Sequence, residues 1–229
     1  MAVDRDVEEA FQRSFLGGLP PEVTARLRSE GERIEYPAGA TIYRARSDPM
    51  AILVVSGLFR VYLTSLEGRQ VTVRYARAHD VLGIAVLVGG PADVSVQALD
   101  TSSVFRIRSR TLTDAGRRDA RVAWAIAEEL NRRLYASLQQ TAVNAFGTVR
   151  ERVAVNLLDL ASAQMHPHSD LVANVSQQEL ADAVGSVREV VARVLRDLRA
   201  DGIVETSSDS VRILDAARLH DESRSSTGL

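Results

Sequence analysis

The sequence contains no cysteine. Disulfide bonds, thiolate zinc sites, cysteine-ligated iron–sulfur clusters and cysteine nucleophiles are therefore excluded. Lysine is absent too, so the 28 residues counted as lysine plus arginine are all arginines, a bias that a GC-rich genome explains. Because the formal net charge is −2, any surface that binds nucleic acid must concentrate positive charge locally.

Long hydrophobic runs are also lacking. The most apolar stretch, Val81 to Val88, is far shorter than the ~20 residues that a helix needs to cross a bilayer. The N-terminus carries acidic residues where a secretory signal requires a basic start and an apolar block. We therefore expect a cytoplasmic location and no membrane partner. The length of 229 residues leaves room for two modest domains.

Short β-type runs separated by turn residues dominate the sequence between about residues 34 and 108. Glu67-Gly68 lies between two such runs and is typical of a hairpin turn. This spacing predicts an antiparallel barrel or sandwich, with short helices before it. The predicted strands are Thr41–Tyr43, Ala51–Val55, Leu58–Thr64, Gln70–Tyr75, Val94–Leu99 and Ser103–Ile107.

A long helix is predicted over residues 117–146, which neither proline nor glycine interrupts. A helix of about thirty residues is ~45 Å long, more than a small barrel can cover. A narrow apolar stripe on such a helix usually packs against a partner helix, and packing on the chain's own barrel is the alternative. The stripe that we expect to form a homodimer interface consists of Ile126, Leu130, Leu134, Leu138 and Thr141.

Two short helices joined by a glycine turn are predicted towards the C-terminus. Ser176 with Glu179 has the spacing of a capping box, which starts the first helix. That helix is expected to end at Gly185. Ser186 with Glu189 has the same spacing and is expected to start the second helix. This pattern is typical of a helix-turn-helix.

The second helix, expected to run to about Ala200, has an apolar face and a charged face. The apolar face comprises Val187, Val191, Val194, Leu195 and Leu198. Four arginines and two acidic residues give the remainder a local net charge of +2. Arginine donates bidentate hydrogen bonds to guanine and glutamate accepts from cytosine, which suits a recognition helix; a solvated face is the alternative. Residues 202–214 are predicted to form the two strands of a wing.

The stretch SQQELADAVGSVREVVARVLRDLRADGIVE resembles the DNA-binding segment of the Crp/Fnr superfamily. That family carries a Glu-x-x-(Ser/Gly)-Arg core, often preceded by Arg, and Arg188, Glu189 and Arg193 match it, with Ala192 as the small residue. The resemblance implies that these three residues contact base edges in TGTGA-like half-sites. It also implies phosphate contacts from Ser176, Gln178, Arg196 and, at the wing tip, Ser207.

The order of the predicted elements is similar to that of the whole family, which implies an α+β fold. It comprises an N-terminal antiparallel, jelly-roll-like β-roll over 1–116, a long dimerisation helix with a hinge over 117–146, a winged helix-turn-helix over 147–218, and a flexible tail over 219–229. The implied partners are double-stranded DNA and a second copy of the chain. RNA polymerase and an unidentified small-molecule effector are further candidates, and no cofactor is expected.

The sequence departs from the family where cyclic-nucleotide-binding members carry Phe-Gly-Glu and then Arg-Ser-Ala. Gly83 is kept, but Ile84 replaces the glutamate that binds the ribose. Ala92 and Asp93 replace the Arg-Ser pair that binds the phosphate. We therefore expect that neither cAMP nor cGMP is the native effector.

Other positions of this predicted effector pocket leave alternatives open. Leu138 replaces a polar residue that would reach the base, although Ser137 beside it stays polar. An inward-pointing Arg60 or Arg74 would restore a phosphate site and give a cyclic-nucleotide-responsive regulator with a rearranged pocket. The apolar residues from Ile84 onward are expected to fill the core, with an apolar ligand pocket as the alternative.

An enzyme on a β-barrel, such as a cupin-like metal oxygenase, is the main rival interpretation. It requires two closely spaced histidines and a carboxylate, whereas the predicted β-roll contains only His79. We interpret His79 as a surface residue rather than a haem ligand, and His166 and His168 as loop residues rather than metal ligands. Because no hydrolase triad order, Walker loop or dinucleotide fingerprint is present, we predict no enzymatic activity.

Overall fold

The computed structural model describes residues 4–45, 50–68, 70–90, 93–163, 165 and 168–223, and for Val71 and residues 139–146 it describes only the backbone. Two helices, α1 (Arg5–Arg13) and α2 (Pro21–Glu30), come first. The strands that follow are β1 (Glu32–Tyr36), β2 (Thr41–Tyr43), β3 (Ala51–Ser56), β4 (Phe59–Thr64), β5 (Gln70–Ala76), β6 (Val81–Leu82), β7 (Val94–Ala98) and β8 (Ser102–Ile107), with helix α3 (Ile84–Gly89) between β6 and β7.

These strands form two four-stranded antiparallel sheets, in the orders β1-β8-β3-β6 and β2-β7-β4-β5. The structure confirms the antiparallel β-roll and each of the six predicted strands, which shift by one residue at most at each end. Strand β1 escaped prediction because Glu32, Arg33 and Glu35 give it the composition of a loop. Among the described strands it pairs only with β8, and charged residues on such an edge oppose pairing with another chain.

Strand β3 has apolar residues without alternation because both of its faces are buried. Leu53 and Val55 face the core that the helices share with this sheet, whereas Ile52 and Val54 face the core between the two sheets. Strand β4 differs, because Arg60 alternates with its inward-facing apolar residues. The Arg60 side chain is only 1% exposed and lies on the outer surface of the sheet.

Helix α4 (Ser109–Arg118) separates the β-roll from the long helix α5 (Ala120–Phe146). The sequence predicted a helix from residue 117, but Asp119 ends α4 in an extended conformation. Its carboxylate accepts a hydrogen bond from the Arg121 backbone N–H at 2.9 Å, which caps the start of α5. The 27-residue α5 confirms the long helix and shortens it at its N-terminal end.

The C-terminal domain contains α6 (Val149–Ala163), β9 (Val172–Ala173), α7 (Gln177–Ala183), α8 (Arg188–Ala200), β10 (Val204–Thr206), β11 (Val211–Ile213) and α9 (Ala216–Glu222). The predicted wing is the hairpin β10–β11, and the unpredicted β9 extends it to a three-stranded sheet. The expected tail over 219–229 is wrong in its first residues. Leu219 is fully buried in the core that α9 shares with α6, so the domain extends beyond residue 218.

The β-roll and the C-terminal domain meet through polar groups of β5 and α6. Asp159 Oδ1 accepts hydrogen bonds from Thr72 Oγ1 at 2.6 Å and from the Tyr75 hydroxyl at 2.7 Å. Arg60 Nε donates to Thr72 Oγ1 at 2.7 Å, and Arg60 Nη1 donates to Gln70 Oε1 at 2.8 Å. Burial and Asp159 together raise the pKa of Tyr75 well above its ordinary value, so the phenol stays protonated as a donor.

The glycine at position 83 allows the chain to turn from β6 into α3. Its φ is +85°, and a Cβ atom there would overlap the backbone carbonyl oxygen of Met50. Gly68 provides a matched control, because its φ is +82° but a Cβ atom would meet nothing within 4 Å. We expect Gly68→Ala to cost about 1 kcal/mol from backbone strain alone and Gly83→Ala about 3 kcal/mol or more.

Urea unfolding of the two glycine variants measures this difference. Equal destabilisation by Gly83→Ala and Gly68→Ala would contradict the close approach of β6 to Met50.

Candidate nucleic-acid interface

Helix α7 begins with the capping box that the sequence predicts. The Ser176 hydroxyl accepts a hydrogen bond from the Glu179 N–H, and Glu179 Oε2 accepts one from the Ser176 N–H at 2.9 Å. The hydrogen bonds from the backbone N–H and hydroxyl of Ser176 lower the pKa of the Glu179 carboxyl. The capping box therefore fixes Ser176 as the N-cap residue of α7.

The turn between α7 and α8 depends on Gly185, whose φ is +62°. Beyond it, the Ser186 N–H donates to the Ala181 carbonyl at 2.9 Å, so Ser186 still belongs to the turn. Helix α8 begins at Arg188 after Val187, which makes no side-chain capping bond. The second capping box, Ser186 with Glu189, is therefore wrong, and Glu189 remains an exposed residue in the first turn of α8.

The apolar side of α8 attaches it to the domain. Val191, Leu195 and Leu198 are at most 2% exposed and belong to the core cluster that includes α6. Val194 packs against the same core. Val187 does not belong to this face, contrary to the predicted pattern, because it precedes the helix and is 57% exposed.

The opposite side of α8, its front, carries charged side chains that have no partner in the described residues. The side chains there are all exposed: Arg188, Glu189, Arg193, Arg196 and Arg199. Within the described parts of the chain, none of these five side chains forms an ion pair or side-chain hydrogen bond.

Two arginines elsewhere in the same domain, Arg150 and Arg212, have acidic partners. Arg150 bonds to Glu222 at 2.6 Å and to Asp201 at 3.2 Å. Arg212 lies within 3.7 Å of Glu205 and 3.6 Å of Asp170. The arginines of α8 lack such partners among the described residues. The front of α8 is therefore a projecting cationic ridge that an external anion can approach.

The residues expected to bind phosphate flank α8 but are partly engaged within the chain. Gln178 is exposed and donates to Asp182 Oδ1 at 2.9 Å. The Ser176 hydroxyl belongs to the capping box, and Ser207 lies exposed in the wing turn with its N–H bonded to the Ser210 carbonyl. Arg196 is the one member of this set whose side chain has no bond among the described residues.

The predicted effector residues do not converge on one polar site. Ile84 is 1% exposed, is part of the core beneath the helices and presents no polar group. Asp93 is exposed, Ser137 is half-buried and Leu138 is 56% exposed on α5. Ala92 lies outside the described residues. The apolar segment divides between both of its predicted roles: Ile84 and Val86 are buried core residues, while Ile84, Leu87 and Val88 line an apolar cavity.

The two arginines considered as phosphate ligands point to different places. Arg60 faces α6 and not the interior of the roll, so the alternative in which Arg60 restores a phosphate site is not realised. Arg74 lies 4.0 Å from Asp80 and is near Arg133 of α5. Burial, together with repulsion from the charge of Arg133, lowers the pKa of Arg74 to about 10, and burial lowers the pKa of Arg133 to about 10.

The long helix divides its predicted stripe between two environments. Ile126 and Leu130 pack partly against the core of their own β-roll, whereas Leu134 and Leu138 are 58% and 56% exposed. The Thr141 side chain lies outside the described residues. Trp124, which the sequence interpretation overlooked, is 69% exposed. The sequence pattern that indicates Trp124 is a heptad spacing, since Trp124, Asn131 and Leu138 follow one another at intervals of seven residues.

Other chemistry finds little support in the described residues. No group of three histidine, aspartate or glutamate side chains there is arranged to hold a metal ion. His79 is half-buried at a turn with φ +75°, His168 is exposed, and His166 lies outside the description. Among the described helices, none is both long and apolar enough to cross a membrane.

A winged helix-turn-helix with a projecting arginine ridge, joined by a long helix to a β-roll, defines a DNA-binding transcription regulator. Comparisons with known proteins agree. Residues 151–222 match the Crp-like helix-turn-helix domain, and residues 33–119 match the cyclic nucleotide-binding domain.

Two curated relatives come from Thermus thermophilus. The transcriptional regulator LdrP is 32% identical over 172 residues, 74% of this chain and 85% of the relative. The cyclic AMP receptor protein is 29% identical over 206 residues, 89% and 94% of the two chains. The crystal structure of a transcriptional regulator from Eubacterium rectale has a TM-score of 0.59 at 23% identity and covers 91% of this chain and 96% of the other.

The chain therefore belongs to the Crp/Fnr family of transcription regulators. This confirms the resemblance, the fold class and the DNA-binding helix-turn-helix. The relatives are regulators and not enzymes, so the barrel-enzyme interpretation is excluded.

The corrected start of α8 predicts unequal effects of two serine substitutions. Ser176→Ala removes the side-chain cap of α7 and should destabilise the protein by about 1 kcal/mol. Ser186→Ala removes no capping bond and should change stability by less than about 0.5 kcal/mol. Thermal unfolding of both variants measures the difference, and comparable losses would show that Ser186 caps α8 after all.

Proposed function

We propose that the chain binds palindromic, TGTGA-like DNA sites as a homodimer, with Arg188, Glu189 and Arg193 in contact with base edges. The observation that carries this proposal is the front of α8, where exposed arginines have no acidic partner among the described residues. A buried apolar back and a free cationic front let a helix enter the major groove while it stays attached to its domain.

The proposed roles within α8 follow from position and chemistry. Arg188 and Glu189 occupy the first turn, the end of a recognition helix that usually reaches the base edges. Arg193 lies on the same exposed front and can donate a bidentate pair to guanine. Arg196, one turn nearer the C-terminal end, is assigned to phosphate together with Ser176, Gln178 and Ser207.

The homodimer is proposed to form through α5. Leu134 and Leu138 form an apolar seam that the described residues leave uncovered, and Trp124, Ile126 and Leu130 border it. Parallel pairing of two such helices would carry two winged domains towards half-sites one helical turn of DNA apart, ~34 Å. Residues 145–147, between α5 and α6, are the proposed hinge. RNA polymerase is the proposed protein partner of the DNA-bound dimer.

Control by cAMP is not part of the proposed function. Ile84 offers no acceptor to a ribose hydroxyl, and the exposed Asp93 would repel a phosphate. The half-buried pair Arg74 and Arg133 supports a second candidate, a cyclic-nucleotide-responsive regulator with a rearranged pocket.

The two assignments within α8 predict different losses on substitution. Arg193→Ala should cost about 1–3 kcal/mol on the cognate site and relax base preference at one position. Arg196→Ala should weaken binding to every sequence alike and reduce the slope of log K against log salt by about 1 per chain. Fluorescence anisotropy on specific and random duplexes at several salt concentrations separates the two effects.

Arg110→Ala is the matched control, because Arg110 is an exposed arginine on α4 in the other domain and should leave both quantities unchanged. If the α8 variants behave like this control, the recognition-helix assignment fails.

Calorimetric titration with cAMP tests the effector proposal. We expect no heat of binding at micromolar nucleotide, because the groups that would hold ribose and phosphate are missing. Binding with near-micromolar affinity that Arg74→Ala abolishes would instead support the rearranged pocket.

A further inference from the structure

An apolar cavity of about 330 Å³ lies between α3, α4 and α5. Ile84, Leu87 and Val88 of α3 form one wall, and Ala123, Ala127 and Leu130 of α5 form another. The cavity opens to the surface, where Val88 is 66% exposed. An open apolar cavity of this kind leaves dispersion contacts and apolar burial unrealised, so a side chain from another molecule could fill it.

The cavity lies beside the proposed dimer seam, on one of its two flanks. With 3.6 residues per turn, Ala123 and Leu130 fall on one side of the line from Ala127 to Leu138. Trp124 and Glu128 fall on the other side of the same line. Trp124 is the single tryptophan of the chain, and its indole N–H donates to the exposed Glu128 at 2.8 Å.

In the proposed homodimer, a two-fold axis parallel to α5 would bring the cavity flank of one helix against the Trp124 flank of the other. In a parallel pair of helices, the flank that precedes the seam on one helix faces the flank that follows it on the other. Trp124 lies at the same level of α5 as Ala123 and Ala127 because only one to three residues separate them. An indole on one helix therefore meets the small residues that open the cavity on the other.

Charged residues at the edge of the cavity also favour Trp124 of a second copy as its occupant. Arg117 lines the cavity, is exposed and forms no ion pair among the described residues. Glu128 next to Trp124 likewise has no cationic partner in the described chain. The second copy would thus bring a large apolar ring to an apolar cavity and a carboxylate to an unpaired guanidinium.

We propose that the partner's Trp124 fills the cavity between α3, α4 and α5, with the partner's Glu128 paired to Arg117. The inference rests on the homodimer proposed above and adds how the two α5 helices are placed relative to each other. Because α3 supplies one wall, the conformation of the predicted effector segment and the fit of the two subunits depend on each other.

Tryptophan fluorescence tests this interaction directly, because one residue gives the whole signal. As the protein concentration rises and dimers form, the emission should shift to the blue and acrylamide quenching should fall. Val88→Ser should reverse both changes and weaken the dimer about tenfold, since each dimer loses two apolar contacts. Leu214→Ser, a matched change of an exposed apolar residue in the winged domain, should have no effect.

A charge-reversal pair tests the proposed contact between subunits. Arg117→Glu and Glu128→Arg should each weaken the dimer in sedimentation equilibrium, and the double variant should restore it. Pairing Glu128→Arg with Arg118→Glu, the neighbouring exposed arginine, should not restore it.

Two outcomes separate failure of this inference from failure of the dimer proposal. A dimer in which Trp124 is quenched as readily as in the unfolded chain overturns the cavity assignment and leaves the dimer intact. A chain that stays monomeric at every concentration overturns both.

Discussion

Burial of one side of α8 is the constraint on which the DNA-binding surface depends. Val191, Leu195 and Leu198 are almost completely removed from water, which at about 1.5–3 kcal/mol for each apolar side chain fixes the rotation of the helix about its axis. Once that rotation is fixed, Arg193 and Arg196 must point outward. Because no acidic residue in the described part of the chain pairs with them, their charge stays available, and packing in the core thus determines an electrostatic property of the surface.

The long helix α5 carries two sets of apolar residues in different environments. Its first half contributes Val122 and Ile126 to the core of the β-roll, while Leu134 and Leu138 stay uncovered beyond it. A helix whose apolar residues all lay on one side would need only one surface to pack against. Because the covered and uncovered apolar residues occupy different faces, α5 can anchor the roll and pair with a second copy without conflict.

Much of this architecture follows from the sequence, and the exceptions have identifiable causes. The capping box at Ser176 and the turn at Gly185 are local, so spacing predicts them well. The same spacing misplaced a box at Ser186, because the turn that ends α7 extends to this residue: its N–H is bonded to the Ala181 carbonyl, and α8 begins only at Arg188. Trp124 was missed because the four-residue periodicity of the predicted stripe, from Ile126 to Leu138, does not include it.

The contact between the two domains shows why a buried arginine can persist outside any ligand site. Arg60 is 1% exposed, and burial lowers its pKa, so the protein must supply acceptors for its charge. Thr72 and Gln70 provide them, and Thr72 in turn donates to Asp159 of α6. Loss of Asp159 would leave Arg60 buried without its nearby opposing charge, at a cost that a surface pair would not incur. The polar network thus connects α6 of the winged domain to β5, the strand that also carries Arg74.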